Sequence, residues 1–180
     1  MAKFEHVVKC SEMLRKLRIS HILLLDDDWQ KIEVICDELG YDKAGIIKNV
    51  LQGFFKKHRD FYIDAGIKDA KARGISSSEH FVTLRDRSEE DLPVYVETLP
   101  LLGQSLLDTI PPLPLKEDLK RKFNLINLPS FNYVLLRVAH IIHKDSYPQL
   151  LGKIVRAHLA EHWEPTYKPQ IERNTNDDYV

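Results

Sequence analysis

The same order of elements occurs twice in this chain, and this internal repeat constrains the fold more than any other feature. Each copy reads as a short strand, a helix, a tight turn with a helix cap and a second helix; the strands lie near residues 19–25 and 122–128. One strand with two helices cannot bury its own apolar face, so we expect the two copies to pack against each other. The sequence therefore predicts a mainly α protein with short β-strands.

The second helices of the two copies match at a spacing of 104 residues. The cap Asp42 maps onto Ser146, and apolar positions map onto apolar positions. The strand ends, Leu25 and Leu128, differ by 103, which we interpret as one inserted residue in the first helix of the second copy. We expect the matched faces to form one core that contains Trp29, Ile32, Leu39, Ile47, Val50, Leu51, Leu151, Ile154 and Val155.

Three segments follow from this reading: residues 1–74 with the first copy, 75–115 as a connection, and 116–180 with the second copy. In the first segment, we expect a helix over residues 4–17 that precedes the repeat. The first helix of the repeat begins at residues 26–28 and ends at Gly40, and its second helix runs from Asp42 towards Arg73 and stops at Gly74. Gly66 could break that second helix.

In the connection, the short apolar runs 81–84 and 94–96 predict strands, residues 104–110 predict a helical turn or two, and residues 111–114 a semi-rigid Pro-rich linker. In the second copy, Ser130 opens the first helix and the second runs to Trp163, after which Pro165 and Pro169 end regular helix. Residues 174–178 read as a frayed tail.

Composition narrows the class of protein. The 180 residues are 43% hydrophobic and 29% charged, carry a net charge of −1, and contain no apolar run of the roughly 20 residues that a membrane span needs. Only Cys10 and Cys36 are present, and charges stand where a secretion signal would be apolar, so we expect a cytoplasmic location. Because Gly-rich phosphate loops and catalytic motifs are absent from the sequence, we expect neither an enzyme nor a cofactor.

The residues that carry the clearest resemblance are Leu25, Trp29, Ile32, the turn at residues 39–43, and Ile46, Ile47, Val50 and Leu51. Their order and spacing resemble the ribbon-helix-helix (MetJ/Arc) superfamily of DNA-binding proteins, and the opening of the second copy at residues 122–125 is similar to the strand of the Arc repressor. The resemblance covers about 40 residues in each copy. It implies two such units that form an intramolecular pseudo-dimer, with a paired two-stranded ribbon in the major groove of double-stranded DNA. The pseudo-dimer would be a monomer or a higher oligomer of that monomer. Alternatively, each copy could pair with its counterpart in another chain.

The resemblance also implies which residues bind DNA: basic residues around the start of each strand, outward polar residues of the strands, and the start of each second helix. If Leu25 and Leu128 point inward, alternation places Ile22 and Leu24 outward, together with Phe123 and Leu125. The candidate DNA contacts are Arg15, Lys16, Arg18, Ser20 and Lys43 in the first copy, and Lys120, Arg121, Lys122, Asn124, Asn127 and Tyr147 in the second.

Two other interpretations stay open at this stage. The pairs His158/His162 and His140/His143 have helical spacings that facing helices use to hold zinc, but no carboxylate or Cys signature accompanies them, so we expect no metal site. The near-neutral charge and the apolar strands also fit an adaptor or antitoxin-like module that keeps the fold and binds a protein partner through the middle segment.

Overall fold

A computed structural model describes residues 15–94 and 106–177. Its strands are β1 (Arg15–Leu17), β2 (His21–Leu23), β3 (Lys120–Lys122) and β4 (Ile126–Leu128). Its helices are α1 (Asp26–Leu39), α2 (Lys43–Lys57), α3 (Arg59–Ala72), α4 (Ser77–Asp86), α5 (Ser130–His143), α6 (Tyr147–His162) and α7 (Lys168–Asp177). The predicted class, mainly α with short β, is confirmed. No helix in the described ranges is long and apolar enough to cross a membrane.

The strands form one antiparallel ribbon within the chain. β1 pairs with β4 and β2 with β3, and in every pair the two residue numbers add up to 143. Two backbone hydrogen bonds, from Phe123 N to Ser20 O and from Leu24 N to Leu119 O, continue this register. The ribbon therefore joins residues 15–24 to residues 119–128, and the predicted antiparallel pairing inside one chain is observed.

The ribbon corrects two expectations. Residues 15–17 belong to a strand, not to the predicted helix over residues 4–17, whose other residues lie outside the described part. The predicted insertion in the first helix of the second copy is also wrong, because α1 and α5 each have 14 residues and begin 104 residues apart. The strands lie 105 apart, so the extra residue stands between strand and helix in the first copy, where Leu24 and Leu25 replace the single Pro129.

Turns and caps explain why the first two helices of each copy have these bounds. Gly40 adopts a left-handed φ of 70° after α1, and Lys144, 104 residues later, does so with a φ of 56° after α5. Asp42 caps α2 by accepting a hydrogen bond of 2.9 Å from the backbone N of Gly45. Ser146 occupies the same position before α6 without a side-chain cap bond.

Each copy carries a third helix beyond the predicted unit. The expected continuous helix towards Arg73 is broken at His58, whereas Gly66 lies inside α3 without breaking it. In the second copy, a five-residue π-helical turn, Trp163–Tyr167, holds Pro165, and α7 then continues to Asp177, so the expected end of helix and frayed tail are wrong for residues 168–177. Pro169 is tolerated there because the first turn of a helix leaves its N–H groups unpaired. α3 packs against α5, and α7 packs against α1.

The connection is helical where strands were expected. Residues 81–84 lie within α4, because Ser76 caps Glu79 N at 3.1 Å and Phe81 and Leu84 are buried at helical spacing. Val94 is not in a strand, and residues 95 and 96 lie outside the described ranges. Residues 106–109 form a 3₁₀ turn, and the Pro-rich linker is irregular. The side-chain amide of Gln149 connects the linker to α6: its oxygen accepts from Leu113 N and its nitrogen donates to Leu113 O.

The core lies between the ribbon and the helices of both copies. Of the nine expected core residues, seven are buried, while Trp29 and Leu39 are partly buried and pack against the cluster. The second helices of the two copies, α2 and α6, contact each other, and α6 also packs closely on β2. At β1 and β4 this arrangement leaves one face of the ribbon exposed, whereas Ile22 and Leu24 are buried in the other half.

Candidate nucleic-acid interface

The outer face of the ribbon brings together polar residues from both strands. Lys16 lies opposite Asn127 in the pairing, and both are exposed, whereas the neighbouring Leu17 and Leu128 are buried. Because paired residues of an antiparallel ribbon point to the same side, these two side chains share the outer face. Arg18 and Ser20 are exposed at the next alternate positions, so the four residues follow the strand period of two.

Alternation fails further along the first strand. Ile22 and Leu24 were expected to point outward, but both are completely buried, and Leu25, expected inward, is 42% exposed. Leu23, on the opposite face of β2, is also completely buried, so both faces of this strand are covered. The prediction for the second strand is closer: Asn127 and Leu125 are exposed and Phe123 is partly exposed.

The ribbon contains basic residues and no acidic ones. Residues 15–25 and 119–129 contain six Lys and Arg residues and no Asp or Glu. Three of the six are engaged by carboxylates: Arg15 by Asp86 at 2.8 Å, Lys120 by Glu117, and Arg121 by Asp26. The other three are Lys16, Arg18 and Lys122, which are exposed and form no ion pair with a carboxylate of the described residues.

At the starts of the second helices, the two residues predicted to contact phosphate, Lys43 and Tyr147, have partners within the protein. The Nζ atom of Lys43 bonds Glu33 at 2.7 Å and lies 4.6 Å from the centre of the Trp29 ring, so it faces α1. The ring of Tyr147 stacks on His140 with centroids 4.2 Å apart, and burial raises the pKa of its hydroxyl far above the ordinary value.

The structure thus groups some candidate residues and separates others. Asn124 is exposed in the break between β3 and β4. An accessible set therefore remains on the ribbon: Lys16, Arg18, Ser20, Lys122, Asn124 and Asn127. Arg15, Lys43, Lys120, Arg121 and Tyr147 are held by protein partners or buried surroundings.

Sequence reasoning missed a group of arginines beside the ribbon. Arg85, Arg87 and Arg137 come from α4, the loop after it and α5, and with Arg15 and Arg18 they line a cavity of about 610 Å³. The guanidinium of Arg137 is 1% exposed and donates to the backbone oxygens of Leu84 and Arg87. The local signal was an arginine on the otherwise apolar face of α5, a position that needs dedicated partners.

The histidines have protein partners. His158 Nε2 lies 2.8 Å from the hydroxyl of Tyr167, and His140 Nδ1 lies 2.8 Å from the carbonyl of Asp145. Within residues 15–94 and 106–177, no group of three or more His, Cys, Asp and Glu side chains could hold a metal ion. Cys36 is a partly buried thiol whose pKa is raised by that burial, and Cys10 lies outside these ranges.

Comparison of the chain with models of protein families, with curated proteins and with solved structures gave no match.

Proposed function

We propose that the chain is a DNA-binding protein, a transcriptional regulator or an architectural or partition protein, whose two ribbon-helix-helix units form an intramolecular pseudo-dimer. The observation that carries the proposal is the outward set Lys16, Arg18 and Asn127 on a ribbon without acidic residues. A two-stranded ribbon fits the major groove, where an Asn side chain can bond adenine bidentately. Lys16 and Arg18 supply the phosphate attraction that the near-neutral whole chain lacks.

The pairing of equivalent elements supports the pseudo-dimer. The first helices are equally long, both second helices begin 104 residues apart, and the paired strands come from different copies. In the ribbon-helix-helix superfamily, two units contribute one strand each. Here one chain supplies both strands, so the DNA-facing surface needs no second molecule.

Gel shifts and anisotropy titrations with duplexes from around its own gene test the proposal, at low and at rising salt. Arg18→Ala should weaken binding to all sequences alike and flatten the plot of log affinity against log salt by roughly 0.9 for each lost phosphate contact. Lys71→Ala is the matched control, because Lys71 is an exposed basic residue in α3, outside the ribbon. Arg121→Ala should change affinity less than Arg18→Ala, since Asp26 already engages Arg121.

Base readout is tested at Asn127. Asn127→Ala should cost about 1–3 kcal/mol on a preferred site and little on random DNA, because phosphates are alike at every step and base edges are not. Ser20→Ala should do less, since a lone hydroxyl discriminates bases poorly. No binding of any duplex at low salt would remove the DNA proposal.

A second candidate function is a protein-interaction adaptor or antitoxin-like module. It is favoured by Leu125, which is 49% exposed in the break between β3 and β4. An exposed apolar side chain on a ribbon fits a protein partner better than a base edge. A pull-down that recovers one stoichiometric protein and no nucleic acid would favour this function.

A further inference from the structure

A basic cavity opens beside the outer end of the ribbon. Its volume of about 610 Å³ lies within the range of sites for small molecules, roughly 300–1,000 Å³. Three separate parts of the chain line it: residues 15–18 at the first strand, residues 85–90 at the end of α4 and beyond, and Tyr133 with Arg137 on α5. Because the walls come from distant segments, the cavity exists only in the folded protein.

Positive charge exceeds negative charge around this cavity. Six Lys and Arg residues and three Asp and Glu residues line it, a net excess of three positive charges. Two of the three carboxylates are engaged by arginines: Asp86 pairs with Arg15 at 2.8 Å and with Arg85 at 2.7 Å, and Glu89 lies 3.1 Å from Arg137. The third, Glu90, is exposed. The unneutralised cations are Lys16, Arg18 and Arg87, none of which has a side-chain partner among the described residues.

The inner wall of the cavity is held in place by Arg137. Its guanidinium is 1% exposed, is bonded to two backbone oxygens and lies 4.4 Å from the centre of the Tyr133 ring. Because the terminal nitrogens of Arg137 are bonded to these oxygens and to Glu89, this residue fixes the shape of the wall and adds positive charge to it. The exposed cations Lys16, Arg18 and Arg87 are the groups that can bond phosphate oxygens, which guanidinium donors match in pairs.

We propose that this cavity binds a small phosphate-bearing molecule of nucleotide size with two or three negative charges. A DNA backbone carries the same phosphate chemistry, but a rigid duplex is too wide to reach groups as recessed as Arg137 and Arg85, whose side chains are 1% and 16% exposed. A small molecule can enter the cavity, where the exposed Arg18 and Arg87 form part of the lining, and place its phosphates against that wall.

Binding there would also act on the ribbon. Lys16 and Arg18 line the cavity and are exposed on the outer face, so a bound anion neutralises charges that the duplex needs. This coupling rests on the proposed function, whereas the ligand site itself does not. A phosphate-bearing ligand should therefore weaken DNA binding, and DNA should weaken ligand binding by the same factor.

Isothermal titration of the full chain with inorganic pyrophosphate and with ADP tests the site. We expect saturable binding at one site per chain for at least one of these probes. Arg87→Gln should weaken it about tenfold or more, and Arg18→Gln, a second exposed position, should weaken it similarly. Lys71→Gln, on α3, is the control and should leave it unchanged. Circular dichroism spectra of all three variants establish that they are folded.

Absence of saturable binding up to millimolar pyrophosphate and ADP would overturn the proposal, as would equal affinities in folded Arg87→Gln and the unchanged chain. A mixed-sequence duplex is titrated in parallel. If Arg87→Gln weakens duplex binding while neither probe binds, the cavity serves the DNA backbone and the small-molecule proposal is wrong. If the probes bind and no duplex does, the ligand site stands and the proposed DNA function alone fails.

Discussion

Gly152 lies where α6 comes closest to the ribbon, and replacing it with Ala should separate the two. A Cβ atom at this position would lie 2.1 Å from the carbonyl oxygen of Leu23, nearly 1 Å nearer than the 3.0 Å limit of real Cβ contacts. The obstacle is backbone in β2, so it cannot rotate away as a side chain would. Helix α6 must instead shift off the ribbon.

The free energy of unfolding should fall by about 2 kcal/mol. Because the obstacle is backbone, the overpacking should cost about 3 kcal/mol, the upper end of the typical range of 1–3 kcal/mol, and the gain of about 1 kcal/mol in helix propensity from Gly to Ala leaves a net loss of about 2 kcal/mol. For a chain of this size, we expect the melting temperature to fall by roughly 4–8 °C. Urea unfolding followed by far-UV circular dichroism measures the same change as a lower midpoint.

Gly53 provides the matched control, since it is exposed inside α2 and a Cβ there would meet nothing within 4 Å. Gly53→Ala should stabilise the protein by roughly 0.5–1 kcal/mol, because only the propensity term remains. The two identical substitutions should therefore have opposite signs. A Gly152→Ala variant as stable as Gly53→Ala would refute the close contact of α6 with β2.

Further substitutions test the core, a helix cap and a titrating histidine. Leu51→Ala should cost roughly 2–5 kcal/mol in a urea titration, because Leu51 is completely buried, and a loss under about half a kcal/mol would contradict its place in the core. Asp42→Ala should cost about 1 kcal/mol through its lost bond to Gly45 N, whereas Ser146→Ala, which loses no cap bond, should cost clearly less; equal losses would contradict the difference in capping. Burial first, and then the charge of His162, lower the pKa of His158 from 6.5 to about 4, so the unfolded chain takes up its proton first and stability should fall as pH drops from 6.5 towards 4. Replacing His158 with Phe, the residue at the matching position 54, should flatten that fall in urea titrations across this pH range, and an unchanged slope would contradict the assignment.

Local signals predicted the helices well because their causes lie within a few residues. Gly40 ends α1 through its positive φ, and Asp42 caps α2, both within one turn of the helices they bound. The apolar stripe around Leu51 was readable for the same reason. Four apolar residues do not reveal a period, so residues 81–84 read as a strand, although Ser76 and Glu79 carry the signal for the start of a helix.

Features that depend on distant partners could not be predicted in this way. Residues 15–17 form a strand only because residues 126–128 pair with them, more than 100 positions away. The ion pair of Arg121 with Asp26 joins residues that are distant in sequence, and so does the cavity that Arg85 and Arg137 both line. Neither can be seen without the folded structure. Basic segments are visible in the sequence. Tertiary contacts then determine which of their cations remain accessible.

The register that joins residues 15–24 to residues 119–128 has a consequence for synthesis on the ribosome. At roughly 5–20 residues per second, the first strand waits roughly 5–20 s before its partner has been translated. During that interval Ile22, Leu23 and Leu24 form an apolar strand edge without its native neighbour, which is the kind of segment that aggregates or attracts chaperones. The nascent first copy should therefore be more prone to aggregation than the finished chain.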